Sequence, residues 1–181
     1  MCRVYYFDFS RVKKDVGYND INHDRLEYVN KINDEVRKNQ SYFATKLLEY
    51  ALENYGIDYS CGFSCENGKW KLRNNAINFS ISHSNNLVCV GLSKSEIGVD
   101  LEKKDDKILL LEKKYFSEKN FSNRDEKILE YLKFWTEKEA KFKAQTESKV
   151  NFFTIKDNNN DIHVLCVLCG EEIELIKINK L

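Results

Sequence analysis

Asp100 and Glu102 stand two apart in "EIGVDLEKK", residues 96–104, a segment whose other members favour a β-strand. Side chains two apart in a strand point to the same face, so two carboxylates would lie side by side. At a separation of about 6–7 Å and an effective dielectric of about 20, their repulsion is roughly 2–3 kcal/mol. Such a pair is expected where a hard divalent cation held by oxygen ligands offsets the repulsion. An exposed strand end with two solvated acids is the alternative. Ile97, Val99 and Leu101 hold the opposite parity and read as the core face. Gly98 shares the acidic face, where its missing side chain would let a ligand approach the backbone.

A third carboxylate comes from "KFWTEKEAKFK". Ile128, Leu132, Trp135 and Phe142 trace an apolar helical stripe, and Glu139 falls inside it. A carboxylate on a packed face needs a cation or hydrogen-bond donors. Lys143, one turn on, could supply one through an i,i+4 pair. Alternatively, Glu139 joins Asp100 and Glu102 around one metal, which leaves Lys138 and Lys143 to meet phosphate oxygens. The turn "SISHS" adds hydroxyls, backbone N–H groups and the His83 imidazole, although His83 alone would also fit an ordinary surface position.

The elements that must position these groups are legible in outline. "CRVYYFDFS" reads as a strand, and residues 24–38 read as a helix. In "SYFATKLLEYALENYG" Phe43, Leu47, Leu48, Ala51 and Tyr55 follow helical spacing, with Ser41 as cap and Gly56 as stop. Asn67-Gly68 signals a hairpin. "AINFSISHS" alternates, a turn follows from His83 to Asn86, and "LVCVGL" and the acidic strand complete an antiparallel meander. The second half repeats that order loosely, with helices over 107–114 and 124–144 and strands near 152–156, 162–168 and 172–178, the run "DNNND" being a loop. A helix-and-sheet unit used twice accounts for this order.

With 181 residues, 42% of them hydrophobic and 13% aromatic, the chain can bury a substantial core and is not generally disordered. Its 29 basic and 29 acidic residues cancel, which predicts no bulk attraction to nucleic acid. No apolar run is long enough for a membrane span, and the start lacks the order of a secretory signal, so a cytoplasmic location is expected. The six cysteines include two close pairs, Cys61 with Cys65 and Cys166 with Cys169. The second pair lies in an alternating strand and is sent to opposite faces, which favours reduced buried thiols over a zinc site or disulfide.

"NFSISHS", "IGVDLE" and "FWTEKEAKFK" together resemble, in order and separation, the three motifs of the 4′-phosphopantetheinyl transferases, specifically the single-chain type named after the surfactin synthetase activator. The resemblance implies an α+β fold of two similar halves, residues 1–96 and 97–181, with the active site at their interface. It implies transfer of the 4′-phosphopantetheine arm from coenzyme A to a serine of an acyl or peptidyl carrier protein, releasing 3′,5′-ADP, by a cytoplasmic monomer that engages neither nucleic acid nor membrane. Asp100, Glu102 and Glu139 would hold Mg²⁺, or Mn²⁺ in its place. Glu139 would also take the serine proton, and Lys143 would contact the pyrophosphate. Ser82 and His83 would hold coenzyme A phosphates, with Lys69, Arg37 and Lys38 around the 3′-phosphate and adenine.

The chain differs from the family pattern at Trp70, where Gly68-Lys69 would be followed by proline, near Gln40 and Ser41, where an arginine is usual, and at Asn120, where an acid is common and Glu118 could substitute. Lysines 113, 114 and 119 are the expected docking charges for an acidic carrier. Two rival readings are a degenerate coenzyme A or carrier-protein binder without transfer, and a Mg²⁺-dependent nuclease built on Asp100, Glu102 and Lys104.

Overall fold

The computed structural model describes residues 1–12, 18–115 and 121–181. In chain order the elements are β1 (Cys2–Asp8), α1 (His23–Asn30), α2 (Glu35–Tyr55), β2 (Phe63–Glu66), β3 (Lys69–Leu72), β4 (Asn78–Ser84), β5 (Leu87–Ser93) and β6 (Gly98–Lys103). A 3₁₀ turn (Asp106–Leu111) then leads into α3 (Glu112–Tyr115), α4 (Arg124–Ala144), β7 (Val150–Lys156), β8 (Ile162–Leu168) and β9 (Ile173–Ile178). The fold is mixed α+β. One sheet has the order β4-β5-β1-β9, a second the order β6-β8-β7, and β2 and β3 form a separate hairpin.

Alternating side chains decide how these pieces stack. Tyr5, Phe7, Val88, Val90 and Leu92 face Leu47, Leu48, Ala51 and Leu52 of α2. The opposite parity of the same strands, Cys2, Val4, Leu87 and Cys89, meets Ile97, Val99, Leu101, Leu165 and Val167 of the second sheet. The outer face of that sheet, Val164, Cys166 and Leu168, is covered by Ile128, Leu132, Ala140 and Ala144 of α4. The result is a helix, sheet, sheet, helix layering in which the largest apolar cluster lies between α2 and the first sheet and a second fills the space between the sheets. Cys166 and Cys169 lie on opposite faces, and all six cysteines are free.

Several local expectations are corrected. The predicted helix over 24–38 is interrupted at 31–34, and α2 restarts at Glu35 because Asp34 caps it by accepting the Arg37 N–H at 2.8 Å. Ser41 is therefore interior to α2, its carbonyl accepting from the Thr45 hydroxyl, while Gly56 ends the helix at φ 77° as expected. His83 and Ser84 are strand residues, since the β4–β5 ladder runs to the Ser84–Leu87 pair and leaves only Asn85 and Asn86 in the turn. The expected meander stops at β5, and β6 starts the second sheet. A Cβ on Gly91 would come within 2.6 Å of Ile97 and 2.8 Å of Val99, so the space above β5 is filled by side chains at the start of β6 and just before it.

The last strand crosses the residue 96 boundary. β9 pairs in parallel with β1, so the first sheet takes its edge from the end of the chain. No described helix is long and apolar enough to cross a membrane.

Candidate functional site

The site is built on a seam between two sheet edges. β4 and β6 are edge strands of different sheets, and serine side chains bridge them in place of a backbone ladder. The Ser80, Ser82 and Ser84 hydroxyls accept the backbone N–H groups of Val99, Leu101 and Lys103 at 3.0, 3.2 and 3.0 Å. Alternation along β4 sends Phe79 to the first core and these three serines to the seam. The same hydroxyls donate onward, Ser82 to Asp100 Oδ1 at 3.0 Å and Ser84 to Glu102 Oε2 at 3.2 Å.

Asp100 and Glu102 lie on the face of β6 turned toward α4, side by side as their spacing predicts. Gly98 shares that face, but helix rather than ligand fills its open side: a Cβ there would stand 1.9 Å from the Ala140 carbonyl oxygen. This close approach also resets the helix stripe. The buried row is Ile128, Leu132, Thr136, Ala140 and Ala144, small where it crosses Gly98, while Phe142 is 75% exposed. Glu139 and Trp135 are half-buried on the flank. Lys143 ends that flank, and its ammonium donates to the Val99 carbonyl at 3.0 Å and to Asp100 Oδ1 at 2.6 Å. Its carboxylate partner is thus Asp100, not Glu139. Lys138 instead sits 4.1 Å above the Tyr115 ring, away from the acids.

The electrostatics are uneven. Asp100 is 5% exposed, and burial raises its pKa against the pull of Lys143 and Ser82. Its Oδ2 is buried without a hydrogen-bond partner among the described residues. Burial, then the Asp100 charge, push Glu102 up to about 7, with Glu139 adding to the rise. Across the seam the sign reverses. His83 is pushed down by burial first and then by Lys143, with Arg37 and Arg25 contributing.

A cleft of about 170 Å³ opens beside the seam, lined among others by Lys69, Trp70, Phe79, Ser80, Phe142 and Lys143. The β2–β3 hairpin supplies its outer wall. Its turn residues Asn67 and Gly68 both have positive φ, 51° and 80°, as a tight two-residue hairpin turn requires. Lys69 pairs with Glu96 at 2.9 Å at the rim. Among the expected coenzyme A contacts, Lys69 and Lys143 share this cleft, and Arg37 reaches His83 only through its field. Lys38 lies 4.9 Å over the Tyr18 ring, and the single Ser82 proton is committed to Asp100.

Sequence reasoning missed Arg25. It is 3% exposed, lies 4.3 Å over the Trp70 ring, and donates to the Thr45 hydroxyl rather than to a carboxylate. Its only early signal was a charged residue within a short amphipathic helix. Asn120, Glu118 and Lys119 fall outside the described residues, as does the Lys113 side chain.

No three His, Cys, Asp or Glu side chains among the described residues stand close enough together to hold a metal ion as they are. The donor chemistry nevertheless fits an oxygen-seeking divalent cation: Asp100 Oδ2 is buried without a partner among the described residues, and Glu102 is driven toward its neutral form by burial first and then by the Asp100 charge. Compared with known proteins, the chain matches no protein-family model and no curated protein.

Proposed function

We propose that this protein transfers the 4′-phosphopantetheine arm of coenzyme A to a serine hydroxyl of an acyl or peptidyl carrier protein. The observation that carries this reading is the Asp100–Glu102 pair, short of positive charge, lying within one lysine of a cationic and aromatic cleft. Mg²⁺, or Mn²⁺ in its place, held by Asp100, Glu102 and Glu139, would supply charge neutralisation at the pyrophosphate.

The chain's own residues account for the remaining requirements. Lys143 and Lys69 offer ammonium groups to phosphate oxygens along the cleft, while Arg25 and Arg37 add positive field around His83. Trp70, Phe79 and Phe142 provide apolar wall. The cleft accommodates only part of a molecule the size of coenzyme A, so the rest would extend along the surface. As the serine oxygen bonds to phosphorus and the P–O bond to 3′,5′-ADP breaks, half-buried Glu139 would take the serine proton, directly or through water. Positioning and electrostatics then supply most of the rate.

We read the two halves as related units, since α2 covers the outer face of the first sheet much as α4 covers that of the second. A cytoplasmic monomer is consistent with this reading. For the carrier, Lys114 and Lys138 around the Tyr115 ring, beside Phe134, offer the basic and aromatic surface that an acidic helical partner would meet. A nuclease built on Asp100, Glu102 and Lys104 is disfavoured by Lys104 itself, whose ammonium pairs with Asp125 at 3.1 Å.

The test is intact-mass spectrometry of a panel of apo carrier proteins incubated with the protein, coenzyme A and Mg²⁺. One added phosphopantetheine, lost with EDTA and in Glu139→Ala, is expected. No addition to any carrier, with coenzyme A still bound, would favour the degenerate binder.

A further inference from the structure

The seam serines repeat one geometry at two successive rungs. Ser82 accepts from Leu101 N–H and donates to the carboxylate of the preceding residue, Asp100. Ser84 accepts from Lys103 N–H and donates to the carboxylate of its preceding residue, Glu102. In each case the amide occupies an oxygen lone pair and the hydroxyl proton is directed to the acid, so neither hydroxyl retains a proton for a phosphate. Ser80 makes the same amide contact, to Val99, but the preceding residue there is Gly98 and no acid receives its proton.

We propose that Ser82 and Ser84 are positioning residues that hold Asp100 and Glu102 in one orientation for a divalent cation, and that neither is a ligand of coenzyme A. This rests on the reading that the carboxylate pair takes such a cation. Each hydroxyl does two things at once. It closes the gap between the sheets, and it uses that closure to fix a carboxylate rotamer. The amide contact sets where the oxygen sits, and the remaining proton sets where the acid points. Hydroxyl partners of this kind typically change metal affinity by about 10- to 100-fold when removed.

The experiment measures Mn²⁺ binding by the electron paramagnetic resonance signal of free Mn²⁺, without coenzyme A. It is paired with calorimetric titration of coenzyme A in EDTA and hydrogen exchange at the Leu101 and Lys103 amides. Ser84→Ala is expected to weaken Mn²⁺ binding about 10-fold or more and to speed exchange at Lys103, with coenzyme A affinity within about twofold of wild type. Ser84→Thr, which keeps a hydroxyl, should recover most of the Mn²⁺ affinity. Ser80→Ala should speed exchange at Val99 and leave Mn²⁺ affinity within about twofold, which separates loss of a rung from loss of carboxylate orientation. Unchanged Mn²⁺ affinity in both Ser82→Ala and Ser84→Ala would overturn the inference while leaving the proposed function standing. Wild-type protein that binds no Mn²⁺ would overturn both.

Discussion

Burial first, and then the like charges of Asp100 and Glu139, push the Glu102 carboxyl up to about 7 from an ordinary 4.5 against one hydroxyl donor, Ser84. The folded chain therefore holds that proton more tightly than the unfolded chain does. For such an acid, stability is greatest below the unfolded value and falls as pH rises toward the folded value. With EDTA present, Glu102→Gln should melt above wild type at pH 8, and the difference should vanish near pH 4.5. Adding Mg²⁺ should raise the wild-type midpoint and barely move that of the variant. A variant less stable than wild type at pH 8 in EDTA would show that the site is not strained by its charge. Spacing in the sequence sufficed to place Asp100 and Glu102 on one face. That Lys143 would choose Asp100 over Glu139 was not legible, because the local i,i+4 option competes with a contact 43 residues away that exists only once α4 lies on β6.

At the scale of elements, the packing of α4 on β6 rests on Gly98 and the small residues opposite it. Gly98→Ala would place a methyl group against helix backbone, which cannot move as a flexible side chain can. We expect a loss of about 3 kcal/mol, at the upper end of overpacking costs, read from urea denaturation. A loss below about 0.5 kcal/mol would show that α4 shifts freely and that the site geometry is not held by this contact. The same crossing explains why an apolar count misplaces the helix stripe. Trp135 and Phe142 are large apolar candidates, yet where α4 crosses Gly98 the buried side is taken by the small residues Ala140 and Ala144. The hairpin at Asn67-Gly68 and the end of α2 at Gly56 were readable because positive φ is a property of the residue itself.

For the whole molecule, the return of β9 to β1 ties the end of the chain into the first sheet, and the core between the sheets draws on both halves. One cooperative unfolding transition is therefore expected. Trp70 and Trp135, one in each half, report it separately. Single-tryptophan variants, Trp135→Phe and Trp70→Phe, should each give a fluorescence curve that coincides with far-ultraviolet circular dichroism of the same variant. A curve displaced from the dichroism would mean that the halves unfold independently. Fragments 1–96 and 97–181 should fail to fold alone, since the first would expose the face of Cys2, Val4, Leu87 and Cys89 and leave β1 without its parallel partner. The sequence by itself determined most of the strands, the two long helices in outline and which strand side chains share a face, because periodicity and turn chemistry act over a few residues. Only the tertiary structure decided what those faces meet: serines of β4 against the β6 backbone, Lys143 against Asp100, Arg25 over Trp70, and β9 beside β1. Those pairings join residues from about 20 to more than 170 positions apart. They follow from which buried surfaces fit together, a property of the packed molecule that no local pattern encodes.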